Sequence, residues 1–277
     1  MTINKPTASD VGTYYDTMGP FYQTLWGNSI HFGYWPDPAD ASVSMSQAQI
    51  FFTDLLIESI GVSPGHRVLD VGCGTGRPGL QLAEKAGVEV VGITVSQTQV
   101  ATANEQARAL GLDGRARFEL VDAMQLPYED ASFDGAWAFE SIFHVPSRVQ
   151  VFSEMARVVR SGGRIVVADF VTLRPLTQEE IDITYPAFAA TEIGSLDAYI
   201  GDLKAAGLIN VNCRDVTVNT IRPSNRATLG AMRTDEAQQR LREVYGAEMT
   251  SGFLSGWQTI QNVNETLSYV VLTGVKP

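Results

Sequence analysis

Residues 67–76 read Arg-Val-Leu-Asp-Val-Gly-Cys-Gly-Thr-Gly, an apolar β-branched run that ends in an acid and then turns with glycine at every second position. Glycine lets a backbone take φ > 0 and lets another group approach the main chain where a Cβ would stand. The segment therefore commits the chain to a strand followed by a tight turn into a helix. Similar runs recur at 88–93 (VEVVGI), 116–121 (ARFELV), 134–139 (DGAWAF) and 164–170 (RIVVADF), separated by stretches of helical composition. That alternation describes βαβ units and predicts a doubly wound, mostly parallel sheet.

The remaining signals complete a seven-stranded α/β fold. Residues 46–60 place Phe52, Leu55, Leu56 and Ile60 on one helical face, and Gly61 stands where a helix stops. A helix is predicted from Arg148 to Val159, with Ser161-Gly162-Gly163 turning it into the fifth strand. Ser195 suits the N-cap of a helix with Leu196, Tyr199, Ile200 and Leu203 inward, ended by Gly207. A sixth strand fits 208–218, residues 219–264 read as helical and irregular, and LSYVVLTGV at 267–275 is a terminal strand. The expected organisation is a core at 45–220 closed by the strand in 265–277. Additions at 1–44, 171–194 and 219–264 would form a helical lid over the carboxyl ends of the strands, where open parallel sheets bind ligands.

Charge narrows the partners. Twenty basic against 31 acidic residues give −11, a field that repels the phosphate backbone on which nucleic-acid affinity depends. Neither a basic leader followed by an apolar run nor a stretch approaching the roughly 18 apolar residues of a membrane span is visible, so the expected location is the cytoplasm. The two cysteines, Cys73 in the glycine turn and Cys213 in a valine-rich strand, are unlike in setting and are expected to be reduced. A small molecule is the expected substrate, and a second copy of the chain is the one macromolecular partner left open.

A nicotinamide-type turn reads G-x-G-x-x-G, whereas here D-x-G precedes the turn and Arg77-Pro78 follows it. VLDVGCGTG instead resembles the first motif of class I methyltransferases, which implies a Rossmann-like fold whose turn, here Asp70, Gly72, Gly74 and Gly76, holds S-adenosylmethionine. Many such enzymes place an acid after the second strand to grip the ribose. This chain has Gly92-Ile93-Thr94-Val95-Ser96-Gln97-Thr98-Gln99 there. It is similar in this to the subgroup of cyclopropane fatty-acid synthases and natural-product sugar methyltransferases, and the resemblance implies that Thr94 and Gln99 contact the cofactor. Asp122-Ala123 matches the adenine-binding pair, and a carboxylate there can accept the exocyclic N–H. The matching segments LPYEDASFD at 126–134 and VVRSGG at 158–163 extend the resemblance over about 45–220. More narrowly, SIHFGYW at 29–35, FESIFHV at 139–145 and VVADFV at 166–171 resemble the rebeccamycin sugar O-methyltransferase group of tailoring enzymes. That likeness would bring His31 to the methionine carboxylate; the other reading leaves His31 on the surface.

Methyl transfer is an in-line displacement, so placing the acceptor and excluding water matter most, and no metal is expected. A hydroxyl acceptor also has to lose its proton, for which histidine is suited. Of the three histidines, His66 precedes the first strand, away from the crevice, and His144 follows the fourth strand's carboxyl end. The sugar enzymes have paired histidines here; Phe143 replaces the first. Asp169 matches an acid that would fix the tautomer of His144, or else caps the next helix. YQTLWGNSIHFGYW at 22–35 resembles phosphoethanolamine methyltransferases, which implies a latch between Tyr22 and His144. The alternative is an aromatic helix face of Tyr14, Tyr15, Phe21, Tyr22 and Trp26. Glu140 supports either cofactor or backbone, and with Phe143 and Tyr22 it is a candidate substrate contact. Phe143 suits carbon methylation through a face that stabilises a cation, whereas His144 and Asp169 keep oxygen open. Arg222, Arg226 and Arg233 form either an anion site or a solvated face. The expected activity is methylation of a small hydrophobic natural product. The alternative is a cyclase or binding protein that keeps the cofactor as a structural ligand.

Overall fold

A computed structural model describes residues 5–277. Seven strands, β1 (Arg67–Val71), β2 (Glu89–Thr94), β3 (Ala116–Leu120), β4 (Phe133–Phe139), β5 (Val159–Thr172), β6 (Ile209–Asp215) and β7 (Leu267–Val275), form one sheet in the order β3-β2-β1-β4-β5-β7-β6. All pairings among the first five are parallel, and β7 runs antiparallel to both β5 and β6. The helices are α1 (Ala8–Trp26), α2 (Met45–Ile60), α3 (Arg77–Ala86), α4 (Gln97–Ala109), α5 (Arg148–Val158), α6 (Gln178–Phe188), α7 (Leu196–Ala205), α8 (Thr217–Met232) and α9 (Asp235–Asn264).

The period-2 pattern of the strands splits the core in two. Val68, Val90, Trp137 and Val166 face a layer with Phe52, Leu56 and Ile60 of α2 and Leu80 of α3. Their neighbours Leu69, Val91, Ala136 and Ile165 face Phe152 and Met155 of α5 and Tyr199 and Leu203 of α7. A sheet covered on both faces needs such continuous apolar runs. Helix α2 ends as expected, with Gly61 in the left-handed region at φ 64°. Ser195 caps α7 through the N–H of Ala198.

Three expectations need correction. Ser161-Gly162-Gly163 does not stand apart as a turn but belongs to β5, whose register with β4 jumps from Phe133↔Val159 to Gly135↔Arg164. The glycines stay in the sheet because Gly162 donates its N–H to Lys276 O and Gly163 accepts from Lys276 N–H. The sixth strand is shorter than 208–218, since the Asp215 carboxylate takes the N–H of Thr217 at 2.8 Å and starts α8. Residues 219–264 are not irregular: they are two helices, the second bent at Gly246, φ 79°. The segments predicted to lie outside the core carry α1, α6, α8 and α9. Helix α1, capped by a box between Thr7 and Asp10, lies against α4, α8 and α9.

Candidate active site

A crevice opens where β1, β2 and β4 end beneath α1, and Ala8, Val11 and Tyr15 of that helix form its roof. Gly72 leaves β1 at φ 74°, and a Cβ there would stand 2.2 Å from the Ser141 Cβ. Ser141 in turn donates its hydroxyl to Val71 O at 2.7 Å, stitching the loop after β4 to the end of β1. Gly74, φ 53°, lines the crevice, and among the described residues no atom lies within 4 Å of where its side chain would be. That space is open to the crevice. Gly76 does something else: it is the N-cap of α3, and a Cβ would press on Ala103 at 2.7 Å and Phe118 at 2.8 Å.

Thr94 and Gln99 both line the crevice and bond to each other, hydroxyl to Oε1 at 2.6 Å. Between them Ser96 caps α4 through the Gln99 N–H and donates its hydroxyl to Asp16 of α1 at 2.5 Å. Thr75 makes a second tie, donating to Asn28 O at 2.6 Å. Asp122 and Ala123 lie on the crevice wall, with one oxygen of Asp122 accepting the Met124 N–H at 2.9 Å.

Asp70 and His31 sit one layer below, in a small cavity shared with Gly72, Gly74 and Phe139. Burial raises the Asp70 carboxyl to about 7. His31 is not a surface residue; its ring stacks 4.0 Å from that of Phe139. Its Nδ1 lies 2.7 Å from Phe32 O. A carbonyl only accepts, so Nδ1 holds the proton and Nε2 presents a lone pair. That Nε2 is buried without a hydrogen-bond partner among the described residues. Burial pushes the imidazole down to about 4.

Glu140 follows β4 at φ 48°, a conformation that costs energy for any residue with a Cβ and is held here by its surroundings. Its Oε1 accepts from the Phe32 N–H and the Tyr269 hydroxyl, both at 2.7 Å, tying the N-terminal segment to β7. Burial raises this carboxyl to about 8.

His144 ends a single 3-10 turn, Ile142–His144, after β4. Its Nδ1 lies 3.0 Å from Ala189 O, so the same logic puts the proton on Nδ1 and leaves Nε2 as acceptor. The hydroxyl of Tyr15 donates to Nε2 at 2.9 Å. Burial pushes this imidazole too down to about 4 and holds the Tyr15 phenol well above its ordinary value. Neutral histidine and neutral tyrosine are thus the resting forms.

The expected partners of His144 do not reach it. Tyr22 meets Tyr14, hydroxyl to hydroxyl at 2.6 Å, and Tyr14 donates onward to Ala187 O at 2.7 Å. Tyr15 and Tyr22 lie two turns apart on one side of α1, and only Tyr15 stands opposite the 3-10 turn. Asp169 is fully buried and accepts from the Phe170 N–H at 2.8 Å and the Tyr199 hydroxyl at 3.0 Å. The N–H groups of Phe143 and Ile142 also face its carboxylate. Asp169 therefore fixes the turn that carries His144, while the carbonyl of Ala189 fixes the tautomer. Phe143 packs on the His144 ring at 4.1 Å and lines a separate apolar void with Phe170 and Phe188. Tyr15 is the residue that sequence reasoning passed over. It was one of five aromatics on α1, and nothing local sets it apart.

A mostly parallel sheet with its glycine turn and crevice at the carboxyl strand ends defines a Rossmann-like ligand-binding domain. Residues 62–198 match the family described as a methyltransferase domain. The chain is 35% identical to (+)-O-methylkolavelool synthase of Herpetosiphon aurantiacus, covering 99% of this chain and 95% of that one. It is 37% identical to the 27-O-demethylrifamycin SV methyltransferase of Amycolatopsis mediterranei, over 99% of this chain and all of that one. Among solved structures it is similar to the [4+2]-cyclase SpnF, with a TM-score of 0.85 and 32% identity over 100% of this chain and 99% of the other. The chain belongs to the S-adenosylmethionine-dependent methyltransferase family.

The residues present fit that ligand on two counts. Gly74 leaves open space at the crevice where a Cβ would stand, and His31 brings to the cavity beside it a buried nitrogen without a partner among the described residues. Among the described residues no cluster of three or more His, Cys, Asp or Glu is arranged to hold a metal ion, and no helix is long and apolar enough to cross a membrane.

Proposed function

We propose that this enzyme methylates a hydroxyl group of a small, largely apolar natural product, with His144 as the ultimate proton acceptor and Tyr15 as the relay. The supporting observation is the Tyr15–His144 hydrogen bond at the crevice wall. The relatives described above carry O-methylation in their names, which favours oxygen over carbon.

The Gly72 and Gly74 backbone, Thr94, Gln99, Asp122 and Ala123 would hold S-adenosylmethionine, which when bound supplies a methyl carbon activated by its sulfonium. His31, with its lone pair on Nε2, suits the amino group of the methionine portion rather than the carboxylate, which would need a protonated ring that burial opposes. Tyr15 donates to Nε2, so its oxygen lone pairs are free to accept from an incoming hydroxyl. The acceptor proton passes to the Tyr15 oxygen as the Tyr15 proton passes to Nε2, leaving an oxygen nucleophile and an imidazolium whose Nδ1–H stays on Ala189 O. Asp169 keeps the turn in register throughout, and the roof of α1 excludes water.

The test is to incubate the protein with methyl-labelled S-adenosylmethionine and kolavelool. Label in a methyl ether, with S-adenosylhomocysteine released in equal amount, is the expected result. The likeness to SpnF makes the non-methylating alternative specific. Bound cofactor left unconsumed with kolavelool and with other hydroxylated terpenoids and polyketides would overturn methyl transfer in favour of that reading.

A further inference from the structure

Both ring nitrogens of His144 are engaged, each by a different element. Tyr15 of α1 donates to Nε2 at 2.9 Å, and Ala189 O, at the end of α6, takes the Nδ1 proton at 3.0 Å. That carbonyl is aimed by a constrained turn. Ala189 caps α6 in the left-handed region at φ 48°, where a Cβ is unfavourable, and Ala190 closes the turn by donating to Tyr185 O at 2.9 Å. Thr191 then fastens the chain to the 3-10 turn, N–H to Phe143 O at 2.8 Å and hydroxyl to His144 O at 2.7 Å. The helix leading into this turn is less firmly seated, because among the described residues of α6 only Thr184 is buried.

One side chain joins the two elements directly. Tyr14, next to Tyr15 in α1, donates its hydroxyl to Ala187 O at 2.7 Å, two residues before the carbonyl that holds Nδ1. Its single proton is engaged there, so the 2.6 Å bond between Tyr14 and Tyr22 is donated by Tyr22. Burial raises the Tyr14 phenol above its ordinary value and keeps that proton in place. The contacts close a ring that runs from Tyr15 to His144, from His144 to Ala189, and from Ala187 through Tyr14 back to Tyr15.

We propose that Tyr14 is a positioning residue for methyl transfer: its bond to Ala187 O, directed by Tyr22, holds the end of α6 against α1 and so fixes His144 with its proton on Nδ1 and its Nε2 on Tyr15. The proposal rests on the methyl-transfer reading for the use made of that tautomer, though not for the tautomer itself. It gives Tyr22, which does not reach His144, a role one contact away. Without the Tyr14 oxygen the end of α6 is freed from α1, water gains access to Nδ1, and the ring populates both neutral tautomers. The titratable groups around the pair are Tyr14 and Tyr22 of α1, Glu140 after β4, Asp169 of β5 and Tyr185 of α6. Beyond α6 stands Glu192, which pairs with Arg148 at 3.6 Å and Lys5 at 3.8 Å. Native protein and variant share all of these except the Tyr14 oxygen, so comparing them isolates it.

Nitrogen-15 NMR of the imidazoles reads the tautomer with no substrate present, and in a chain with three histidines the His144 signals are assigned by their loss in His144→Ala. Native His144 is expected to show a protonated Nδ1 and a bare Nε2, and to titrate near 4. In Tyr14→Phe the two shifts are expected to converge and the titration to move up toward 6.5. His31, whose Nδ1 is held by Phe32 O, should keep its native signals and so report an intact fold. Tyr22→Phe, which leaves the Ala187 bond in place, is expected to move His144 the same way by less. Tyr245→Phe is the control, since its hydroxyl also ties α1 down, donating to Thr17 O at 2.9 Å, but from α9; His144 should stay native in it. With methyl-labelled S-adenosylmethionine and kolavelool, Tyr14→Phe is expected to lower kcat about fivefold with KM for the methyl donor unchanged, the acid limb rising with the histidine. A native ring already averaged between tautomers, native His144 signals in Tyr14→Phe, or the same loosening in Tyr245→Phe would each overturn the proposal. Absence of methylation by the native protein would strike the methyl-transfer reading instead and leave the tautomer result standing.

Discussion

The two halves of the crevice are built from different materials. The half proposed to hold the cofactor is main chain and short side chains at consecutive strand ends: Gly72 and Gly74 after β1, Thr94 ending β2, Asp122 after β3. The half proposed to meet the acceptor depends on side chains brought from far apart, such as Tyr15 and His144, 129 residues distant in sequence. The first half is set by local backbone geometry, the second by how α1 and the end of α6 dock on the 3-10 turn. Damage to the two should therefore separate into lost binding and lost turnover.

The largest effect is expected from Gly72→Val. A Cβ 2.2 Å from Ser141, at a φ of 74° that a β-branched residue avoids, would displace the turn. Cofactor binding in calorimetry should fall below detection; an affinity like that of the native protein would show that the turn is not the binding element.

Next comes His144→Ala, expected to lower kcat by about a hundredfold or more while cofactor affinity stays nearly intact. Tyr15→Phe should cost about tenfold, Tyr22→Phe much less, and the double variant Tyr15→Phe/His144→Ala little more than His144→Ala alone, as members of one relay do. Additive losses would separate the tyrosine from the histidine. The pH profile sharpens the same point. Because burial depresses His144 from its ordinary 6.5 to about 4, the base stays available on acidification through 6.5, and turnover should fall only as the pH nears 4. The same depression means that stability present above pH 6.5 is lost as pH falls toward 4, so circular dichroism must accompany the rates. A fall in turnover centred near 6.5, with the fold intact, would mean that His144 is open to water during catalysis.

Asp122→Ala should have the smallest effect, about 1–3 kcal/mol in cofactor binding from one lost acceptor. An unchanged Kd would move adenine away from β3.

This division also explains what the sequence made legible. Strand positions, the Gly61 and Ser195 caps and the glycine turn follow from neighbours within a few residues, so periodicity and turn chemistry reveal them. The partner of His144 does not. Tyr15 and Tyr22 are equivalent by spacing, and the choice between them is made by the docking of α1, which Gly12 permits by lying against Val95 O. Asp169 was recognisable as important from its expected place at the end of the fifth strand, although β5 runs on to Thr172, and its service to the Ile142–His144 backbone rather than to the imidazole is a fact of three-dimensional packing. The Ser161–Gly163 segment misleads for a similar reason: glycines that read as a turn are recruited into β5 by Lys276 at the far end of the chain.

The fit of Gly12 has a consequence for timing. A Cβ there would stand 2.5 Å from Val95 O, so α1 rests directly on the loop that follows β2, and the Asp16–Ser96 and Thr75–Asn28 bonds hold the N-terminal segment down. A ligand seated beneath that roof is expected to leave most readily when α1 lifts. The enzyme should therefore follow an ordered sequence in which the methyl donor enters first and its spent form departs last, with the helix acting as the clock of each cycle and the chemistry waiting on it.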